Sequence, residues 1–171
     1  MTTRECGEFR RHLPDAGGAD RIVVPGRYTP AELASQADLV AASIVNNTSF
    51  NCIATKLVVT GRAWPQREEF LGTVRRRLAS LPARTAWYPG STAAWEEASG
   101  RKAPADGTLP WVLAEGIDPG RDPRVERECF VPVACEAALE GADVATFCRR
   151  AAEVVHRLPG SLAASVTLPA G

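Results

Sequence analysis

Five cysteines and two histidines are the side chains of this chain that most readily do chemistry near neutral pH. The cysteines are Cys6, Cys52, Cys129, Cys135 and Cys148; the histidines are His12 and His156. An odd, irregularly spaced set does not read as a disulfide framework. No CxxC or HxxxH pair occurs, so metal ligation has no support. Cys52 has the most informative setting. It lies in "NNTSFNCIATKLVV", Asn46 to Val59, where a polar, turn-forming run drops into an apolar, β-branched stretch. On the residues alone two readings stand: a small apolar side chain filling a core gap, or a nucleophile presented at an element boundary.

The other thiols have blander settings. Cys135 and Cys148 sit in apolar patterns and read as packing residues, whereas Cys129 follows the charged run "RVERE" and is expected to be more exposed. His156 falls late in a helical pattern, where a positive side chain favours the C-terminal dipole. A cysteine hydrolase or acyl-transferase would need His12 or His156 as base, and neither sits in a supporting motif. There is no GxSxG elbow, P-loop or GxGxxG, so no phosphate-cradling loop can be argued.

The elements that must position Cys52 follow from periodicity and punctuation. Residues 1 to 20 lack both periods and contain Pro14, Gly17 and Gly18; they read as a poorly ordered leader. "RIVV", Arg21 to Val24, is a short buried strand stopped by Pro25-Gly26. Thr29, Pro30 and Glu32 form a capping box with proline at the first helical position. Leu33, Ala37, Val40, Ala41 and Ile44 then recur at helical spacing, so a helix runs to about Val45 and ends at Asn46 and Asn47. A strand over Lys56 to Thr60 follows the cysteine loop, then a helix from near Trp64-Pro65 that Pro82 ends.

Beyond it the sequence predicts a strand at Thr85 to Tyr88, a helical turn around Trp95, and strands over Thr108 to Ile117 and Cys129 to Leu139. A helix with Val144, Phe147, Cys148, Ala151, Val154 and Val155 inward comes next, and Ser161 to Leu168 is a last strand. Alternating strands and helices predict an α/β domain over residues 21 to 171: a mostly parallel open sheet flanked by helices, with binding sites expected at the C-terminal strand ends. Gly171 stands just past a strand, and the domain is expected to be incomplete.

With 171 residues, 45% of them hydrophobic and 23% charged, the composition is that of one soluble globular domain. Twenty basic residues balance twenty acidic ones, which argues against a nucleic-acid or membrane-surface partner. The run Arg75, Arg76, Arg77 reads as a solvated helix face, since Glu68 and Glu69 lie one or two turns upstream. No apolar run reaches the ~18 residues of a membrane span, and the N-terminus has no apolar signal core. The expected location is cytoplasmic.

Two segments carry a resemblance. "NNTSFNCIA" resembles the catalytic-cysteine motif of the aldehyde dehydrogenase superfamily, Asn-x-Gly-(Gln/Glu)-x-Cys, with Asn47 matching the leading asparagine and Cys52 the nucleophile. "ECFVPV", Glu128 to Val133, resembles that family's Glu-x-Phe-Gly-Pro-Val segment. The motifs come in the family's order, with strand, helix and strand between them, and the likeness covers roughly residues 21 to 168.

The resemblance implies a catalytic domain that oxidises an aldehyde to an acid with NAD or NADP as hydride acceptor. Cys52 would attack the carbonyl, Glu128 would hold the nicotinamide ribose, and Phe130 would pack near the nicotinamide ring. The general-base glutamate belongs in an Glu-Leu-Gly-like segment before the first strand; Glu5, in "RECGEF", is the candidate. The family's cofactor-binding domain precedes this segment and is not supplied by these residues, so a homo-oligomer or a separate cofactor-binding chain is the expected partner besides the aldehyde. The departures are Ser49 for glycine, Phe50 for Gln or Glu, and Val131 for the glycine before Pro132. Serine at a glycine position predicts backbone strain in the cysteine loop. The alternative reading is an inactive, truncated relative of that fold that at most binds a partner.

Overall fold

The computed structural model describes residues 19–86, 88–126, 129–158 and 162–170. Five parallel strands form the main sheet in the order β5-β6-β2-β1-β7: β1 (Ala19–Val23), β2 (Thr55–Gly61), β5 (Val112–Ala114), β6 (Val133–Leu139) and β7 (Ala163–Thr167). Helices α1 (Pro30–Val45) and α2 (Arg67–Ser80) cover one face, and α4 (Val144–Arg157) covers the other. A two-residue antiparallel ribbon, β3 (Arg84–Thr85) with β4 (Thr108–Leu109), and helix α3 (Ser91–Ser99) sit between α2 and β5.

The periodic segments fold as their patterns demand. The α1 capping box is complete: the Glu32 amide donates to Thr29 Oγ1 at 3.2 Å and the Thr29 amide to Glu32 Oε2 at 2.7 Å. Leu33, Ala37, Val40, Ala41 and Ile44 are all buried, packed with Phe70, Leu71, Val74 and Leu78 of α2 over Val58 of β2. On the opposite face Leu57, Val59, Cys135 and Ala137 meet Phe147 and Ala151 of α4. β2 lies in the middle of the sheet and is buried along almost its whole length, as a central parallel strand must be.

Several boundaries differ from expectation. β1 begins at Ala19, two residues inside the expected leader, because Ala19 and Asp20 pair with both β2 and β7 and Asp20 is buried. α2 starts at Arg67; Trp64 and Pro65 form a turn in which the Arg67 amide donates to Trp64 O at 3.1 Å. Trp95 anchors a full nine-residue helix, and all of it is α3. Among the described residues of the expected Thr85–Tyr88 strand, Thr85 pairs with Thr108 in the ribbon, not in the main sheet. Proline explains the other two. Pro110 splits Thr108–Ile117 into β4 and β5, and Pro132 delays the expected Cys129 strand to Val133, since neither ring nitrogen can donate to a ladder. The Arg75–Arg77 run is a solvated face: Arg75 pairs with Glu68 at 2.5 Å and Glu115 at 2.8 Å, and Arg77 with Asp38 at 2.5 Å.

Inside the α2 face lies one buried carboxylate. Glu136 of β6 is fully buried and accepts from Arg67 Nε at 3.1 Å and Nη2 at 2.7 Å, from the Gly116 amide at 2.9 Å, and from the Thr60 hydroxyl. Burial of a carboxylate requires such complete satisfaction. The network ties β6 to β2, to the first residue of α2 and to the chain just after β5.

Candidate functional site

The loop that carries Cys52 leaves α1 through an unusual backbone. Asn47, Thr48 and Ser49 have φ of 46°, 60° and 65°, three consecutive non-glycine residues in the left-handed region. Asparagine tolerates this conformation; a β-branched threonine rarely does. Ser49, which stands where the family motif has glycine, therefore occupies a glycine-type backbone conformation, and its side chain is fully buried. Asn51 Nδ2 donates to Asn46 Oδ1 at 2.7 Å, closing the loop on itself, while Asn51 Oδ1 is buried without a hydrogen-bond partner. Cys52 is exposed, as is Ile53 after it, before Ala54 and Thr55 return to the core. The filler reading of Cys52 is therefore excluded, and the thiol is presented to solvent.

Because β2 and β6 are adjacent and parallel, the segments that precede them emerge at the same end of the sheet. Cys52 precedes β2 and Phe130 precedes β6, so the two motif segments meet at the N-terminal strand ends. These two segments therefore lie away from the C-terminal strand ends, where binding sites are expected. Direct contacts join them. Lys56 Nζ, on β2, donates to Ser49 O and Ser49 Oγ, both at 2.8 Å, and to Val131 O at 3.0 Å. Phe50 packs edge-on against Tyr88 with ring centroids 5.4 Å apart, and the Tyr88 hydroxyl donates to Phe130 O at 2.8 Å. Phe130 is half-buried and Val131 fully buried against Trp95. A side chain in place of the family's glycine thus fills the α3 core.

Asn47 is exposed at the start of the loop, beside a cavity of about 200 Å³ that Arg84 and Trp111 also line. Glu128 and Glu5 lie outside the described residues, as do Cys6 and His12. Of the remaining thiols, Cys135 is buried and its pKa is pushed up to about 12 by desolvation, which keeps it protonated and inert. Cys129 and Cys148 are half-buried. No group of three His, Cys, Asp or Glu that could hold a metal exists among the described residues. Neither Lys56 nor Tyr88 was singled out by sequence reasoning. The signal for Lys56 was a lone cation inside the apolar run "TKLVVT"; Tyr88 carried none.

A larger cavity, about 700 Å³, lies at the opposite end of the sheet, between the chain ends of β1, β2 and β6 and the start of α4. Its lining contains no thiol or imidazole.

No protein-family model matches this sequence, and no curated protein matches it either. Solved structures do. The chain overlays the 1-pyrroline-5-carboxylate dehydrogenase of Thermus, solved with bound NAD, at a TM-score of 0.69 and 18% identity, covering 88% of this chain and 31% of that one. This chain has part of the aldehyde dehydrogenase fold. The indole-3-acetaldehyde dehydrogenase of P. syringae, solved in complex with NAD+ and IAA, matches at a TM-score of 0.65 and 17% identity over 91% of this chain and 34% of that one. An NAD-dependent aldehyde dehydrogenase from Sinorhizobium meliloti matches at 0.64 and 15% identity, over 88% and 32%. The chain thus spans about a third of the length of these neighbours. No helix among the described residues is long and apolar enough to cross a membrane.

Proposed function

We propose that this chain is the nucleophile-bearing part of an aldehyde dehydrogenase-type oxidoreductase, with Cys52 as the nucleophile. The observation that carries the reading is the meeting of two motif segments, the exposed Cys52 loop and the Phe130 loop, at one end of a sheet with the fold of those enzymes. The Cys52 thiolate adds to an aldehyde carbonyl, forming the C–S bond of a thiohemiacetal whose oxyanion needs nearby N–H donors. After oxidation Cys52 holds the acyl group as a thioester, and water opens it to the acid and the free thiol. Glu5 is the proposed base for that water.

The residues present fit the nicotinamide end of NAD or NADP. Phe130 offers a half-buried aromatic face for a flat ring. Glu128 is the proposed ribose contact. The cofactor, when bound, supplies the two-electron oxidant that takes the aldehyde hydride. Tests are direct: aldehyde-dependent formation of reduced cofactor that Cys52→Ser abolishes, and calorimetric NAD(P)+ binding that Cys52→Ser leaves intact. Binding without turnover would favour the inactive-relative reading; neither binding nor turnover, in this chain alone or supplemented with a cofactor-binding chain, would remove the enzyme reading.

A further inference from the structure

The Cys52 loop adopts a backbone that its residues do not favour, and bonds from outside the loop add to those that hold it. Left-handed conformations at consecutive non-glycine residues persist only where the surroundings over-determine them. The loop's internal bonds, Asn51 Nδ2 to Asn46 Oδ1 and the Phe50 amide to Asn47 O at 3.1 Å, close its ends and the turn through Thr48 and Ser49, but satisfy neither the Ser49 carbonyl nor its hydroxyl. Ser49 is fully buried at φ 65°, and its carbonyl and hydroxyl both need partners there. Lys56 supplies them. Its ammonium donates to Ser49 O and Ser49 Oγ and also to Val131 O on the neighbouring loop. It does so from β2, the buried central strand, whose backbone is fixed by ladders on both sides.

We propose that Lys56 is a positioning residue that clamps the Cys52 loop to the Phe130 loop and takes the place of a motif glycine by holding Ser49 in a glycine-type conformation. The proposal deepens the reading of Cys52 as nucleophile, since a clamped loop fixes the thiol against the second motif. Its chemistry is that of a charged donor shared among neutral acceptors, each such bond being stronger than a neutral one. Serine and lysine therefore act as a pair. Glycine at position 49 would need no holding, because it reaches positive φ without steric penalty.

Amide hydrogen exchange on the full chain tests this with Lys56→Met, Lys56→Arg and the double variant Ser49→Gly/Lys56→Met. Loss of charge-assisted bonds should speed exchange about ten- to hundredfold in residues 46–52 and 129–132 together. The loops at the far end of the sheet, residues 61–66 and 139–143, should not change. Lys56→Arg should restore protection in both loops, and Ser49→Gly should suppress the Lys56→Met effect on residues 46–52. Alkylation of Cys52 relative to Cys148 should shift with the exchange and return with arginine. The proposal is overturned if only one loop responds, if both stay protected, or if the far end loosens equally. It is also overturned if arginine gives no rescue. Should Lys56→Met fail to fold, Lys56→Gln provides the same comparison. None of these readouts depends on aldehyde turnover, so failure of the clamp and failure of the enzymatic reading are separable.

Discussion

Glu136→Ala should be among the most damaging single substitutions in this protein. The carboxylate is fully buried, and its removal strands three kinds of donor: the Arg67 guanidinium, the Gly116 amide and the Thr60 hydroxyl. Breaking a buried ion pair from one side costs about 3–5 kcal/mol. Arg67 keeps 21% of its side chain in solvent and can recover part of its hydration, which places the expected loss near the lower limit, about 3 kcal/mol. Against a total stability of about 5–15 kcal/mol, that is a fifth or more. Glu136→Gln preserves shape but turns one acceptor toward donors as another donor, and should cost about 1–3 kcal/mol. Urea unfolding followed by circular dichroism measures all of this, with an unchanged denaturant slope as the check that only stability moved. Arg67→Met in the Glu136→Ala background should add far less than Arg67→Met alone, since the stranded charge is gone. A loss below about 1 kcal/mol for Glu136→Ala would refute the argument that the network ties β6 to β2 and α2.

Three further outcomes follow from the packing and the charges. Cys135, whose pKa burial raises to about 12, should resist alkylation at neutral pH in the folded chain and react only in denaturant, as mass-resolved labelling would show. The Arg124 guanidinium holds the Asp122 carboxyl below its ordinary range, chiefly through their hydrogen bond. A depressed folded pKa gives stability that is present above the unfolded value of about 4 and lost as pH falls through the lower folded value. The stability gap between the native chain and Asp122→Asn should therefore be open at pH 7 and close below about pH 4; a gap independent of pH would contradict it. Gly141→Ala would place a Cβ 2.9 Å from the backbone nitrogen of Phe147, and a helix backbone cannot move aside. It should lower stability by about 1–3 kcal/mol in the same urea assay.

The fold was legible where one period ran uninterrupted. The α1 stripe from Leu33 to Ile44 and the apolar run of β2 each admitted a single reading, and the capping box fixed where α1 begins. Two prolines break what reads as continuous strand: Pro110 and Pro132 each cut an apolar run that periodicity alone would continue. β1 was shortened because Asp20 looks like leader, yet pairing on both sides buries it. At the site, the exposure of Cys52 and the strain at Ser49 were implicit in the residue types. The end of the sheet was not. General experience with open α/β sheets points to the C-terminal strand ends, but both motif segments precede their strands and so arrive at the other end. Lys56 and Tyr88 lay hidden because their partners, Val131 and Phe130, are distant in sequence and meet them only through the parallel pairing of β2 with β6.

The central claim is that Cys52 is the reactive thiol of this chain, and mass-resolved alkylation of all five cysteines at neutral pH tests it most directly. The account predicts that the Cys52 peptide labels well before those of Cys129 and Cys148, with Cys135 last. Slow, uniform labelling of the exposed and half-buried thiols, or a faster reaction at any other cysteine, would contradict it.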